Sequence, residues 1–461
     1  MVRDRSKWGD GLMRKLLVAL LLVFAVVGGG WLWLKGPIAE TSEAALKAFP
    51  IYSIVRARNE QLLRIAHTGQ NGSNLLIHRT NLSGPRDRTV TTPNNDTLYS
   101  TAFLDLASGP VTLTIPKLDG RYASAAVMDA RTDNVFILRE TDEGTVTIEF
   151  GDGQAGAVPP ADGETARRYR VPSKEGWLLI RTLVDGPADL QAARKAQAGF
   201  VLDVPEGSRR PQREAVTLPV LPDPAMLLRR ANPVIAENPY LAAPALAATG
   251  YGQGAEAFDK LPVWRQWLWR ILLPRIFDKL KSGLNAGARS TDDGWSNPPP
   301  GIGTAEATDA VRSAVALGGL AALPKSEATY WTAVLDADRR DFDGGSRYRL
   351  TIPADVPVNS FWSLSLYERL PDGRLFFVDN PINRYAVGNR TPDLKRNTDG
   401  SLTLVIQSTD PGPDVNWLPS PASGPFNLTF RAYRPKAELL EGKWRLPPVE
   451  REGEQMDGRV E

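Results

Sequence analysis

Thr91–Leu106 reads TTPNNDTLYSTAFLDL. Pro93 fixes φ, and the side chains of Asn94, Asn95 and Asp96 bond nearby backbone, so the stretch opens on a turn. A strand follows at once. In an extended Thr97–Leu106, Leu98, Ser100, Ala102, Leu104 and Leu106 share one face, and Thr97, Tyr99, Thr101, Phe103 and Asp105 share the other. A carboxylate beside two aromatics on one sheet face suits the floor of a polar pocket, and equally a solvated face.

The β reading extends downstream. Val111, Leu113 and Ile115 alternate with Thr112 and Thr114 before Pro116. Tyr122–Asp129, Val135–Arg139 and Thr145–Phe150 continue the series, and after a Gly/Pro-rich loop Trp177–Leu183 is another apolar strand. Pro187 opens a helix through DLQAARKAQ. A second β-series runs from Arg347 to Tyr433. LTIP stands at Leu113–Pro116 and again at Leu350–Pro353, each time ahead of an aromatic-containing strand bearing Ser124 or Ser363. WLLIRTLVDGP and SLTLVIQSTDPGP then match in the same order. Two β-sandwiches related by duplication account for these pairs. Between the series the chain is proline-punctuated and rich in tryptophan, with an alanine-rich helix at 303–324. Tyr330–Asp338 reads as a further helix.

At 461 residues the chain exceeds one ordinary core, and 40 glycines with 37 prolines favour turn-rich β domains over a helix bundle. With no cysteine, disulfides, thiolate nucleophiles and thiolate metal sites are excluded. Two histidines, His67 and His78, cannot build a three-histidine metal centre within one chain. The net charge is +2, and no basic stripe lies beyond the first fifteen residues, so nucleic acid is not an expected partner.

Leu16–Leu34 carries no charge over nineteen residues, about 28 Å as a helix. Basic residues precede it and Trp31 and Trp33 mark its far end, the pattern of an uncleaved membrane anchor rather than a cleaved signal peptide. The positive-inside rule puts 1–15 in the cytoplasm and the bulk of the chain outside, in the periplasm of a Gram-negative host. Residues 41–68 read as a helix kinked or restarted at Pro50. In LPVWRQWLWRILLPRIFDKLKSG, Trp264, Trp267, Leu268, Ile271 and Leu272 recur at helical spacing among Arg265, Arg270, Arg275, Lys279 and Lys281. A buried inter-domain helix is the preferred reading, and a helix lying on the membrane the sharper one. The expected layout is a basic tail (1–15), a transmembrane anchor (16–34), an N-terminal sandwich with flanking helices (41–199), a helical connector (200–324), a C-terminal sandwich (325–450) and a polar tail (451–461).

TPNNDTLYS with FLDL, GPVTLTIP, WLLIRTLVDGP, PKSEATYW, GGSRYRLTIP, FWSLSLYE, NRYAVGN, DGSLTLVIQ, NWLPSPASGPFNLTFRAY and KWRLPP together resemble the paired uncharacterised-domain family DUF1254 (N-terminal) and DUF1214 (C-terminal). The resemblance covers most of the chain after the anchor. It implies a bacterial envelope protein, mainly β, with two jelly-roll-like sandwich domains and helical elaborations. It implies no activity and assigns no residue a role.

G-x-S-x-G, P-loop, H-E-x-x-H and dinucleotide fingerprints are absent from the sequence. What remains is carboxylate, arginine, asparagine and tyrosine chemistry. Asp105, Tyr99 and Arg181 are the candidate catalytic groups. Asn94, Asn95, Asp96, Asp129, Arg384, Tyr385, Gln407, Asn416, Trp417 and Arg431 are the candidate ligand-binding groups. No metal or cofactor is called for. Paired carboxylates with Tyr and Arg suit a Cys-free hydrolase or lyase acting on a glycan, and suit glycan or small-molecule binding as well. A structural protein of the envelope, its polar residues engaged in buried pairs, is the alternative. Homo-oligomerisation stays open. The acidic loop DADRRDFDGG could hold calcium, though a solvated turn fits it better.

Overall fold

The computed structural model describes residues 6–66, 72–88, 91–159, 167–204 and 215–453, the side chains of 6–33 and 284–290 excepted. The chain is β-rich, with helices packed on one side. In the N-terminal half β1 (Ile77–Arg79), β2 (Thr97–Asp105), β9 (Glu175–Leu183), β4 (Ala123–Met128) and β5 (Asn134–Arg139) form one antiparallel sheet in that order. β10 (Val201–Asp203), β3 (Val111–Ile115), β6 (Gly144–Phe150), β8 (Arg167–Val171) and β7 (Gly156–Val158) form a second, in which β6 and β8 run parallel. Ala102, Leu104, Leu113, Val127, Ile148 and Ile180 meet between them. The alternation read from β2 holds: Ala102 and Leu104 enter this core while Tyr99, Thr101 and Phe103 turn to the opposite face.

The C-terminal half repeats the plan. β11 (Ala328–Ala333), β18 (Phe426–Tyr433), β13 (Trp362–Arg369) and β14 (Leu375–Phe376) form one sheet, with β15 (Ala386–Gly388) also on β13. β17 (Asn416–Pro419), β16 (Leu402–Gln407), β12 (Tyr348–Ile352) and β19 (Glu450–Arg451) form the other, β16 and β17 being parallel. Order β2-β9-β4-β5 thus matches β11-β18-β13-β14, and β3-β6-β8 matches β12-β16-β17. The two LTIP strands, β3 and β12, occupy equivalent places. The second sequence pairing does not. WLLIRTLVDGP supplies β9, whose counterpart is β18, whereas SLTLVIQSTDPGP supplies β16 in the other sheet. Shared apolar strand composition, not place in the fold, made those two stretches alike.

Tyr330–Asp338 is not helical. Six residues from Ala328 to Ala333 pair with β18, placing Trp331 and Ala333 in the core and Tyr330 on the outer face. Sheet pairing overrides a weak local propensity there.

The helices are α1 (Ser6–Ile65), α2 (Leu190–Ala198), α3 (Pro224–Glu237), α4 (Ala257–Lys260), α5 (Val263–Ser290), α6 (Asp309–Gly318) and α7 (Ala437–Leu440). Phe49 and Tyr52 of α1, Leu227 of α3, and Trp269, Leu273 and Phe277 of α5 cover Phe103, Met128, Trp177 and Leu179 on the outer face of the first sheet. α1 does not break at Pro50. Proline lacks the N–H that would reach the carbonyl four residues back, and the Ser313 hydroxyl of α6 donates to that Leu46 oxygen at 2.7 Å instead. The side chains of almost all of the apolar run Leu16–Leu34 lie outside the described residues. Among the described residues, no helix is long and apolar enough to cross a membrane.

On α5 the buried face is carried by Leu268, Trp269, Leu273 and Phe277. Trp269 enters because its indole N–H donates to the Thr249 carbonyl at 2.9 Å. Val263 and Trp267 are therefore left 80% and 63% exposed, so the first turn of α5 presents an apolar surface instead of joining an inter-domain core.

Candidate functional site

The outer faces of the two antiparallel sheets meet, and their residues form matched rows. In the N-terminal sheet Tyr99, Arg181 and Ser124 lie side by side across β2, β9 and β4. In the C-terminal sheet Tyr330, Arg431 and Ser363 do the same across β11, β18 and β13. Each row follows a lead-in loop of the same pattern: Pro93-Asn-Asn-Asp96-Thr-Leu-Tyr99 and Pro324-Lys-Ser-Glu327-Ala-Thr-Tyr330. That P-x-x-acid-x-x-Y spacing is a signal the sequence reading missed, and it marks Glu327 and Tyr330 as counterparts of Asp96 and Tyr99; Ser363 corresponds to Ser124 by strand register.

Contacts across the seam are reciprocal. Arg181 donates through Nη2 to the Ala321 carbonyl at 3.0 Å, and Arg431 donates through Nη2 to the Thr92 carbonyl at 3.1 Å. Each guanidinium thus reaches the loop that leads into the other half. Ala321 (φ 69°) and Thr92 (φ 51°) both hold left-handed backbone, a strained state for non-glycine residues that persists where surroundings over-determine it. The acids are reciprocal too. Ser363 donates to Asp96 Oδ2 at 2.6 Å. Glu327, fully buried, accepts from the Tyr122 hydroxyl and from Arg139 Nε, each at 2.9 Å. Asn94 Nδ2 donates to the Tyr433 hydroxyl at 2.6 Å, and the Tyr367 hydroxyl donates to the Pro93 carbonyl at 2.6 Å.

Two buried arginines, Arg181 and Arg431, and two buried acids, Asp96 and Glu327, share the seam. Arg431 is held by Ser365 Oγ (2.8 Å), the Tyr367 hydroxyl (2.7 Å) and Thr92, all uncharged. Arg181 lies 5.5 Å from the Tyr99 ring centre, a cation–π contact. Burial works against the charge of Arg181, but the hydroxyls of Tyr99, Tyr330, Tyr122 and Tyr433, once ionised at high pH, outweigh it, and its pKa is raised. Burial likewise opposes the charge of Arg431, and Tyr367, Tyr433 and Asp96 more than offset it.

The other expected residues are dispersed. Asp105 sits at the far end of β2 from Tyr99, six residues away and so about 20 Å along the strand. Its backbone pairs with the Asn74 side chain, and its Oδ1 accepts from the Ala107 amide at 3.1 Å. It shares no site with Tyr99 and Arg181. Asn95 donates to the Ser83 carbonyl. Gln407, Asn416 and Trp417 belong to the sheet on the far side of the C-terminal core. Asn416 clamps Lys395 and Thr403 there, and the Trp417 indole donates to the Gln407 carbonyl at 2.8 Å. Arg384 donates to the Trp417 carbonyl, and the Tyr385 hydroxyl to Asn383. His78 Nδ1 bonds Ser100 Oγ at 2.7 Å, and burial lowers its pKa, favouring the neutral ring; His67 lies outside the described residues. In the acidic loop Asp336 is bonded by Arg451 at 2.6 Å and Asp341 by Arg369 at 3.3 Å. Among the described residues no group of acids or histidines is arranged to hold a metal ion.

Asp129 forms a second polar cluster, between the β4–β5 turn and the helices. Its Oδ1 accepts the amides of Arg131 and Asp133, each at 3.0 Å, and its Oδ2 accepts from the Tyr240 hydroxyl at 3.1 Å. Arg312 Nε donates to Asp133 at 2.7 Å. Burial, reinforced by the Asp133 charge, pushes the Asp129 carboxyl up to about 6.

The family model "Protein of unknown function (DUF1254)" matches residues 73–204, and "Protein of unknown function (DUF1214)" matches 327–437. No curated protein matches the chain. A crystal structure of the VPA0106 protein from Vibrio parahaemolyticus is similar at 21% identity and a TM-score of 0.59, covering 90% of this chain and 100% of that one. An uncharacterised protein from Burkholderia cenocepacia matches at 13% identity and a TM-score of 0.41, over 93% of this chain and 98% of that one. The Vibrio likeness extends over both halves and concerns the fold.

Two outcomes test this description. Asn94→Ala and Tyr433→Phe should each destabilise, and their double-mutant cycle should show a coupling of about 0.5–1.5 kcal/mol; strict additivity in urea unfolding would mean the cross-seam bond contributes nothing. For Asp129 the folded pKa of about 6 exceeds the ordinary 3.8, so between those values the folded state binds more protons. Stability from this group is therefore present at low pH and declines as pH rises through that window. Asp129→Asn should flatten that slope in melts recorded from pH 4 to 7, and an unchanged slope would disprove the assignment.

Proposed function

Because the chain belongs to the paired DUF1254/DUF1214 family, described only as proteins of unknown function, we propose a function from the site itself: an envelope protein that binds a small organic or glycan ligand between its two jelly-roll-like halves. The observation that carries this is Arg181 Nη1. The residue is only 5% exposed, yet this nitrogen has no hydrogen-bond partner. A buried donor left unmade costs about 1–3 kcal/mol, and such an orphan points to a bound partner or a role in function. Tyr99 and Tyr330 flank it and are half-buried, so a ligand has an aromatic edge to enter along.

Binding, rather than hydrolysis, is the better fit. Hydrolysis of a glycoside needs two carboxyl groups facing one bond, and Asp105, the expected acid, stands at the other end of β2. The reading of a purely structural protein accounts for the reciprocal clamps but not for the orphan nitrogen.

We further propose that the chain is anchored in the inner membrane through Leu16–Leu34, single-pass, with the two halves in the periplasm. The exposed first turn of α5 supports this. Arg265 lies 3.2 Å from Glu40 of α1, six residues past the end of the apolar run and so about 9 Å along the helix. Val263 and Trp267 therefore stand at the level expected of headgroups, where tryptophan is favoured.

A thermal-shift screen of the full chain against glycans, organic acids and aromatic esters tests the binding reading. A ligand at a hundred times its Kd should add about 2.7 kcal/mol, the effect being lost in Tyr99→Phe with Tyr330→Phe and kept in Asp105→Asn. A hit indifferent to both tyrosines would move the site elsewhere. For the anchor, the absence of native cysteine allows single nitroxide labels at Ala25→Cys and Val263→Cys in nanodisc-reconstituted chain. Both should be more accessible to oxygen than to a water-soluble nickel complex. A water-like Ala25 label would remove the anchor.

A further inference from the structure

The chemical class of the seam ligand follows from the charge balance around Arg181. Two fully desolvated guanidiniums, Arg181 and Arg431, stand in facing rows, 5% and 4% exposed. Among the described residues neither has a carboxylate partner: Arg181 has the Ala321 carbonyl and the Tyr99 ring, Arg431 has Ser365, Tyr367 and the Thr92 carbonyl. The acid of the same seam, Asp96, accepts from the Ser363 hydroxyl and its charge favours Arg431 and Arg390, while the equivalent acid, Glu327, is committed to Arg139 and Tyr122. A third cation, Arg390, stacks 4.0 Å over Phe361 and lies 3.0 Å from the half-exposed Asp185. Arg181 is thus the buried cation of the seam that has, among the described residues, neither an acid beside it nor a partner for Nη1. Burying a charge without its counter-charge is costly, and a planar guanidinium with a free edge matches an oxyanion better than any neutral group.

We propose that the seam ligand bears a small oxyanion, a carboxylate or a phosphate, that binds Arg181 Nη1 between Tyr99 and Tyr330. This rests on the reading of the seam as the binding site and adds the identity of the recognised group. No proton or bond is transferred. The anion accepts the unmade hydrogen bond, and the flanking phenols contact the organic part attached to it. The carbonyl of Ala321, held in left-handed backbone, fixes the other arm of the guanidinium, so Arg181 is oriented before the ligand arrives.

The experiment is isothermal calorimetry on the full chain in detergent with three anionic probes, acetate, benzoate and inorganic phosphate, and two neutral ones, acetamide and glucose. Each is run on the native chain and on Arg181→Met and Arg181→Gln. Saturable binding is expected for at least one anion, weakened about 100-fold in both variants, with the neutral probes inert. Both variants should keep a cooperative melt, since each fills the same space without an isolated charge. Benzoate without phosphate would identify a carboxylate, and the reverse a phosphate. Anion binding that survives both substitutions would overturn the proposal. So would glucose or acetamide binding at the seam in preference to the anions, although the seam would then remain the site. Silence from all five probes on the native chain would overturn the proposal, and destabilisation by both substitutions beside that silence would overturn the binding reading with it.

Discussion

Each half of this protein gives a buried arginine to the loop that leads into the other. Arg181 binds the Ala321 carbonyl ahead of β11, and Arg431 binds the Thr92 carbonyl ahead of β2. The rest of the seam is arranged around that exchange. The two loops adopt left-handed backbone where the guanidiniums take their oxygens, the acids that follow are satisfied from the opposite half, and the tyrosines beside the arginines come to face one another. Neither outer sheet face could stand alone in water and keep this arrangement. Each displays a cation and phenols that only the other half completes.

The reciprocity has a source in the repeated topology. Strand orders in the two halves correspond, and so do the rows Tyr99–Arg181–Ser124 and Tyr330–Arg431–Ser363. A duplicated unit that packs against its own copy through one face makes a self-complementary interface, as in a two-fold dimer. The symmetry between the halves is incomplete. Arg431 has both terminal nitrogens bonded, to Ser365, Tyr367 and Thr92, while Arg181 Nη1 has no partner. The two arginines therefore differ at one nitrogen, and that asymmetry is the reason the proposed ligand is placed on the Arg181 side.

The helices serve a different purpose. α1, α3 and α5 cover the portion of the first outer sheet face that the second half does not reach, around Phe103 and Trp177. α1 is continuous through Pro50 because Ser313 takes up the released carbonyl, so it can transmit position rigidly from its N-terminal end to the sheet. Ordering by such specific bonds places the exposed tryptophan turn of α5 beside the base of α1.

Much of the architecture was legible in the chain itself. Period-2 alternation marked β2, β3 and β6 because one side of each strand faces a dry core. The LTIP repeat falls on two strands that hold equivalent places, and TPNNDTLYS supplies Asn94, Asp96 and Tyr99 to the contact between the halves. Site composition was harder to read. Asp105 shares the strand face of Tyr99, but a face is about 20 Å long over six residues, and periodicity says nothing of where along it the partner ends. Asn416 and Trp417 belong to equally distinctive motifs yet sit behind a core. Tyr330 was assigned to a helix, since its pairing partner β18 lies a hundred residues away. The sequence alone determined which residues alternate, which segments repeat and which chemistries are missing. Only tertiary packing decided which outer faces meet, because that depends on contacts between residues such as Arg181 and Ala321, 140 positions apart, which no local pattern encodes.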